Sequence, residues 1–398
     1  MSFHFIQDAN AKRKANGLFR RRVTISEVSD SVIKIDGNYF INFASNDYLG
    51  LSQHTEVLQA YVEGLSLYGA SSSSSPVVSG YTQAHASLES ALAELCNQES
   101  VMLLSSGFAA NQAVCQALSQ GEPRMKNDLG IVSDKLMHAS FVEAASSQAA
   151  SFKRFAHNDV DHAQRQLQSL PSSNKLLASE GVFSMDGDSA PVADLVTLKS
   201  SAQALLMLDE AHSFGVVGEQ GLGYSGSYQY AHEKQAIDIT MGTFGKAIGT
   251  QGAFLAGSKE LIDYLVNFAR HYVYSTAPAA AIARATLKAL DIMLKGKERA
   301  QLHQNIASFK ALMGDKQITL MPSDSAIQPI LVENTEKLML AKDKLSRLGI
   351  LVSAIRTPTV PKGSERLRIT LSALHSNEDI HALVDALEIT RDAVGGFA

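Results

Sequence analysis

Short apolar runs punctuate the middle of the chain, each bounded by polar or small residues, at 101–104, 131–133, 176–178, 205–208, 237–241 and 253–256. Runs of this length without alternation read as strands buried on both faces. Between them apolar residues fall at helical intervals, as Leu88, Leu92 and Leu95 do. Strand and helix alternating in this way predict a mostly parallel sheet with helices on both faces. Residues 32–43 alternate apolar and polar instead, around Asp36-Gly37-Asn38, which predicts a hairpin. Before it, residues 1–30 read as a polar helix followed by an arginine-rich stretch. The pattern changes near residue 285. A long helical stretch runs from Pro278 toward residue 312, and shorter strands follow at 328–332, 351–355 and 367–371. Ser376 and Asp379 form a capping-box pair that opens a last helix. The expected organisation is an N-terminal helix and hairpin arm over 1–45, a large α/β domain over 46–284 and a smaller α+β domain over 285–398.

Composition narrows the class. The chain has 398 residues, 45% of them hydrophobic, enough for a large core and two or three domains. A net charge of −5 with 19% charged residues gives no nucleic-acid footprint. The clusters Lys12-Arg13-Lys14 and Arg20-Arg21-Arg22 are short and read as a solvated face. Two cysteines, Cys96 and Cys115, argue against a disulfide framework and for a reducing compartment, as buried and inert thiols. Polar residues interrupt the first twenty positions, and no apolar stretch reaches about 18 residues. The expectation is a cytoplasmic protein with no membrane span.

Several reactive residues fall just past the ends of the expected strands: Ser106-Gly107, His138, Ser184, Asp209 and Lys246. In open α/β sheets ligands bind beyond the carboxyl ends of the strands, so these residues point to one shared site. A lysine and an aspartate so placed are what pyridoxal 5′-phosphate requires. The lysine supplies a Schiff base and the aspartate pairs with the pyridinium nitrogen. Alone, Lys246 reads equally well as a surface lysine in a glycine-rich turn. Ser106 to Asn111 joins a strand to a helix, where free N–H groups bind phosphate and Gly107 admits close approach. Thr243 adds a hydroxyl. His138 could stack on the ring, and Ser184 and His212 could bond its phenolic oxygen. After the substrate amine displaces it, Lys246 is free to act as general base, which needs a lowered pKa. Asp209-Glu210-Ala211-His212 also matches a helicase box. Such an enzyme needs a GxxxxGK[ST] loop, and Gly245-Lys246 is followed by Ala247 with no hydroxyl for magnesium.

The chain resembles the α-oxoamine synthases of the fold-type I pyridoxal-phosphate transferases, almost end to end. The matching stretches are Asn42 to Gly50, Val78-Ser79-Gly80-Tyr81, Ser106 to Asn111, Glu180 to Asp188, Asp209 to His212 and Thr243 to Lys246. Three others point within the family to the branch serving biotin synthesis: Arg154 to Asp159, Phe268 to His271 with Tyr274 to Ala277, and Ala354 to Pro361 leading into Arg366 to Leu371. The resemblance implies condensation of L-alanine with a pimeloyl thioester, on coenzyme A or acyl carrier protein, with loss of carbon dioxide. It implies Lys246 as Schiff-base lysine and proton shuttle, Asp209 at the pyridinium and His138 on the ring. Ser184 and His212 fall to the phenolic oxygen, and Gly107, Phe108 and Thr243 to the phosphate. Arg356 would hold a carboxylate, Arg20 and Thr359 the acyl substrate, and Asn46 the intermediates. It also implies a homodimer in which Ser275 and Thr276 reach the partner's phosphate.

One departure stands out. Relatives carry a glycine-rich stretch before Val78-Ser79-Gly80, where this chain has Ala70 and Ser71 to Ser75, which reads as a flexible surface loop. The rival readings are a sister α-oxoamine synthase with another amino acid or acyl chain, a silent cofactor-binding regulator, and an aminotransferase. Segment 356–361 and the intact lysine and aspartate weigh against them.

Overall fold

The computed structural model describes residues 3–120, 127–218, 220–231 and 236–398. A seven-stranded sheet lies at the centre. Its strands run, in spatial order, Ser100–Leu104, Ala253–Gly257, Ile239–Thr243, Leu205–Asp209, Asn174–Glu180, Leu129–Asp134 and Ser151–Phe155. Only Ala253–Gly257 runs against the others. All six expected strands are present, five of them longer by one to four residues. The lysine-side strand begins and ends two residues later than its apolar run, so Thr243 is its last residue.

Alternation along the strands feeds two cores. Ile131, Leu176, Met207 and Met241 pack on one face with Ala110, Ala113, Val114 and Ala117 of the helix Gly107–Gln120. Val132, Leu177, Leu206 and Leu208 face the other side, against Ala163, Leu167, Leu195 and Leu198 of two further helices. Each fully buried Leu or Ile side chain contributes about 1.5–3 kcal/mol, which is why parallel strands carry continuous apolar runs. Both cysteines are buried, and burial pushes both thiols up, so neither is a ready thiolate.

The hairpin forms at the expected turn. Asp36 and Gly37 take φ of 48° and 82°, the paired positive values that two-residue hairpin turns demand. Three readings are corrected. The arginine-rich stretch leads into a strand, Ile25–Ser29, which pairs with Val32–Ile35; all five of its residues are exposed, so no apolar face announces it. The helical stretch from Pro278 is two helices, Ala280–Lys295 and Lys297–Asp315, broken where Gly296 turns left-handed at φ 76°. Residues 351–355 are not one strand. Ile350–Leu351 pairs with Asn38–Asn42 in the N-terminal sheet, while Ser353–Ile355 pairs with Arg366–Thr370 in a three-stranded sheet with Ile327–Leu331. Ser376 and Asp379 form the capping box of Asn377–Ala393 as expected.

The serine run is tied down. The Ser72 hydroxyl donates to the Pro278 carbonyl at 2.7 Å, and the Ala277 N–H donates to the Ser74 carbonyl at 2.9 Å. Among the described residues no helix is long and apolar enough to cross a membrane.

Candidate active site

Lys246 sits three residues past the strand Ile239–Thr243, in a loop closed on itself. The Phe244 N–H donates to Gly252, Thr250 to Phe244 and Gly249 to Lys246, all at 2.8–2.9 Å. Phe244, Ala247 and Ile248 are buried and anchor the loop. Gly249 takes φ 69°, and a Cβ there would meet the Ser52 nitrogen at 2.3 Å. The loop is thereby pressed against the chain at Leu51-Ser52 and its lysine held in one place.

The lysine opens into a cavity of about 350 Å³ at the carboxyl ends of the strands. Asn46, Gly107, Phe108, His138, Asp209, His212 and Thr243 line it with Lys246. Eight of the expected residues therefore meet in one place. Burial draws the Lys246 amine from 10.5 down to about 8; Asp209 and Glu180 pull the other way, and Arg368 adds to the lowering.

Asp209 ends its strand with its carboxylate satisfied. Oδ1 accepts from the Ala211 N–H at 3.0 Å and Oδ2 from the Asn111 amide at 3.2 Å. That amide also donates to the Ser140 hydroxyl at 3.0 Å, and Ser140 lies 2.7 Å from His138 Nδ1. His138 caps the helix Ala139–Gln148, its Nδ1 accepting from the Ser140 backbone N–H. A chain of four side chains thus fixes the aspartate and the histidine relative to each other. Burial lowers the His138 pKa, and Asp209 opposes it. Burial holds His212 well below its usual value, with Lys246, Arg368 and His138 adding to it. Its Nδ1 is 2.6 Å from the Tyr48 hydroxyl. A neutral imidazole accepting there carries its proton on Nε2.

Asn111, Ser140, Tyr48, Glu180 and Arg368 were not read from sequence. Glu180 is level with Asp209 on the next strand. Burial, with Asp209 beside it, pushes its carboxyl well above the usual value, and Lys246 opposes this. Arg368 comes from the strand Arg366–Thr370 of the smaller sheet. It donates to the Ser184 carbonyl at 2.7 Å, to Thr370 at 2.9 Å and to Asn46 at 3.3 Å. Tyr48, Asn111, Glu180 and Arg368 lay inside matching stretches, and for Glu180 its position at a strand end was the signal that could have found it.

The remaining expected residues lie elsewhere. Ser184 is buried beside the cavity, its N–H donating to Glu180 at 3.3 Å, but it is not in the lining. Arg20, Arg356 and Thr359 share a second cavity of about 580 Å³ with Phe19 and Met339. Arg356 donates there to the Gly17 carbonyl at 2.6 Å and contacts the Met339 sulfur. Half-buried Ser275 and exposed Thr276 follow the short helix Arg270–Val273, outside both cavities.

The residues present fit pyridoxal phosphate. The amine and carboxylate line the same cavity. The helix Gly107–Gln120 opens at its rim; the Ala109 and Ala110 N–H groups bond Ser106, which leaves those of Gly107 and Phe108 as the first-turn donors for a phosphate. A Cβ on Gly107 would meet Thr243 Cγ2 at 2.7 Å, so glycine keeps that end open. Asn111 Oδ1 is buried without a partner among the described residues.

Comparison with known proteins agrees. Residues 38–387 match the family model for aminotransferase class I and II. The 8-amino-7-oxononanoate synthase of Cronobacter sakazakii is 46% identical, covering 96% of this chain and 97% of that protein. The crystal structure of 8-amino-7-oxononanoate synthase from Francisella tularensis superposes with a TM-score of 0.74 at 29% identity, over 89% of this chain and 98% of that one. A serine palmitoyltransferase from Sphingomonas wittichii superposes with a TM-score of 0.89 at 26% identity, over 99% and 98% of the two chains. A cavity built for pyridoxal phosphate, on this fold and at this level of identity, leaves one conclusion: the chain belongs to the 8-amino-7-oxononanoate synthases, a family of pyridoxal-phosphate-dependent α-oxoamine synthases with the fold-type I architecture.

Proposed function

We propose that the chain condenses L-alanine with a pimeloyl thioester, carried on coenzyme A or acyl carrier protein, with loss of carbon dioxide. The observation that carries this reading is the convergence of Lys246, Asp209, His138 and His212 on one cavity in a chain of this family. When bound, the cofactor supplies an electron sink for the substrate α-carbon.

The chain's residues divide the remaining work. Lys246 holds the cofactor covalently, then takes and returns the proton at the α-carbon; an amine drawn to about 8 suits both tasks near neutral pH. Asp209 holds a proton at the ring nitrogen. His138 would lie against the ring and His212 would bond its phenolic oxygen, with Ser184, buried beside the cavity, the second group proposed for that oxygen. Gly107, Phe108 and Thr243 hold the phosphate, and Asn46 positions the substrate. A homodimer completes the site, with Ser275 and Thr276 of each protomer serving its partner. Arg20 and Thr359, together in the second cavity, take the acyl chain.

The resemblance gives the amino-acid carboxylate to Arg356, whereas the geometry favours Arg368, which is bonded to Asn46 and acts on Lys246. Arg368→Lys is expected to raise the KM for alanine by roughly 10–100-fold, the worth of a charged hydrogen bond. Arg356→Lys is expected to act on the KM of the thioester. The reverse pattern returns the carboxylate to Arg356.

The reaction itself is tested with purified protein, pyridoxal phosphate and pimeloyl-CoA. Alanine, glycine and serine go in separate tubes, and products are read by mass spectrometry. An aminoketone from alanine alone, one carbon dioxide lighter than the simple condensation product, is the expected result. Product from glycine or serine instead moves the chain to a sister activity, and pyruvate formed without thioester makes it an aminotransferase.

A further inference from the structure

His157 lies outside the cavity, yet it touches both the loop that carries His138 into it and the hairpin that holds Ser184 beside it. Its Nδ1 is 3.1 Å and 3.2 Å from the two oxygens of Asp134, and its Nε2 is 2.7 Å from Asp188 Oδ2. Asp134 is fully buried at the end of the strand Leu129–Asp134, four residues before His138. It also accepts the Leu136 N–H at 2.7 Å, which shapes the turn into His138. Asp188 closes a tight hairpin with Ser184 near its tip. The Phe183 N–H donates to the Asp188 carbonyl and the Gly187 N–H to the Phe183 carbonyl, both at 2.9 Å. The His157 and Phe183 rings meet edge to face, with centroids 4.4 Å apart at 87°. Asn158 reinforces the same join, donating to Asp188 at 3.0 Å and, from its backbone, to Asp134 at 2.9 Å.

A neutral imidazole has one N–H and satisfies one carboxylate. Two carboxylates on its two nitrogens call for the imidazolium, which donates from both. We propose that His157 is a positioning residue that, as a cation, crosslinks the His138 loop to the Ser184 hairpin and so sets the geometry of the cofactor cavity. This rests on the reading of His138 and Ser184 as cofactor contacts. Burial works against the charged ring, but hydrogen bonds to Asp134 and Asp188 outweigh it and raise His157 to about 9. The charged groups facing the ring are Asp134 from the neighbouring strand and Asp186 and Asp188 from the hairpin; Arg366 of the smaller sheet pairs with Asp186. His157, Asp186 and Asp188 bring ligand atoms within 4.8 Å of one another, as a metal site does. The imidazolium and Arg366 already supply the cations there, so a protein crosslink accounts for the cluster.

The sign follows from linkage. A histidine raised on folding contributes fully below its unfolded value of 6.5, and that contribution fades as pH rises through about 9. NMR of protein carrying ¹³C-labelled histidine reads the titration directly, the His157 signal being the one that Asp188→Asn moves furthest. The proposal expects a ring that is cationic at pH 7.5 and titrates near 9, and a downward shift of roughly one unit in Asp188→Asn, where one carboxylate partner is lost. A ring neutral at pH 7 in the unmodified protein overturns it. The second arm adds pyridoxal phosphate to the apo-protein and follows visible absorbance. His157→Gln should weaken cofactor binding by roughly 10-fold at pH 7.5. It should also abolish the loss of affinity that the proposal expects of the parent protein as pH rises through about 9. Unchanged affinity, spectrum and pH profile in His157→Gln overturn the crosslink. His138→Ala and Ser184→Ala separate the two failures: if they too leave affinity and spectrum unchanged, the reading of the cavity is what fails. Should His157→Gln not fold, the NMR arm decides alone.

Discussion

Lys246→Ala should lower turnover by roughly 10³-fold or more, since one substitution removes both the covalent anchor and the general base. The variant should still bind pyridoxal phosphate, because the helix N-terminus at Gly107, Asp209 and the two histidines remain in the cavity. Absorbance should report a cofactor that dialysis removes, where the parent protein retains it. Activity within ten-fold of the parent would remove Lys246 from the chemistry. The same amine governs loading. Only its neutral form attacks an aldehyde, and burial brings its pKa to about 8. Covalent uptake by the apo-protein should therefore quicken as pH rises from 6 through about 8 and then level off. Uptake that is flat over that range would mean that the amine is already neutral well below pH 8.

Asp209→Ala is the second large effect. The carboxylate faces a ring nitrogen in the proposed arrangement, and it also receives the Asn111 amide that leads to Ser140 and His138. Its loss removes the charge partner of the pyridinium and leaves that amide one acceptor short. Exchange of the alanine α-proton with deuterated solvent, followed by NMR without any thioester, isolates this step. We expect a fall of roughly 10²–10⁴-fold, the range for losing a group that acts on proton transfer. Near-normal exchange would refute the role. Asn111→Ala tests the relay: it should slow exchange less than Asp209→Ala, by roughly 5–100-fold for a single buried hydrogen bond.

The sequence made the frame of the site readable because burial writes a strong signal. The strands ending in Asp209 and Thr243 are buried on both faces, so their apolar runs stand out and the residues just past them can be named. Where burial is weak the signal fails. The strand Ser151–Phe155 lies at the sheet edge with Arg154 exposed, and its composition does not mark it. Arg368 lay inside a matching stretch, Arg366 to Leu371, but it meets Asn46 from a different sheet, a contact across the chain that no local pattern encodes. Arg356 shows the converse. Its motif points to a carboxylate, but its contact with the Gly17 carbonyl is set by where the N-terminal arm folds, which its neighbours in sequence do not specify. Ser184 and the second-cavity residues follow the same rule: strand ends predict direction, and tertiary contacts decide distance.

The two-residue strand Ile350–Leu351 has a consequence for how the chain is made. It supplies the edge partner of Asn38–Asn42, with the Ile41 N–H donating to Gly349 and the Phe43 N–H to Leu351, both at 2.9 Å. During synthesis the ribosome releases the N-terminal hairpin about 300 residues before that partner emerges. At roughly 5–20 residues per second the hairpin spends about 15–60 s with an open edge. An open edge is a template for pairing with another nascent chain. Slower translation should therefore lengthen the interval in which that edge can mispair.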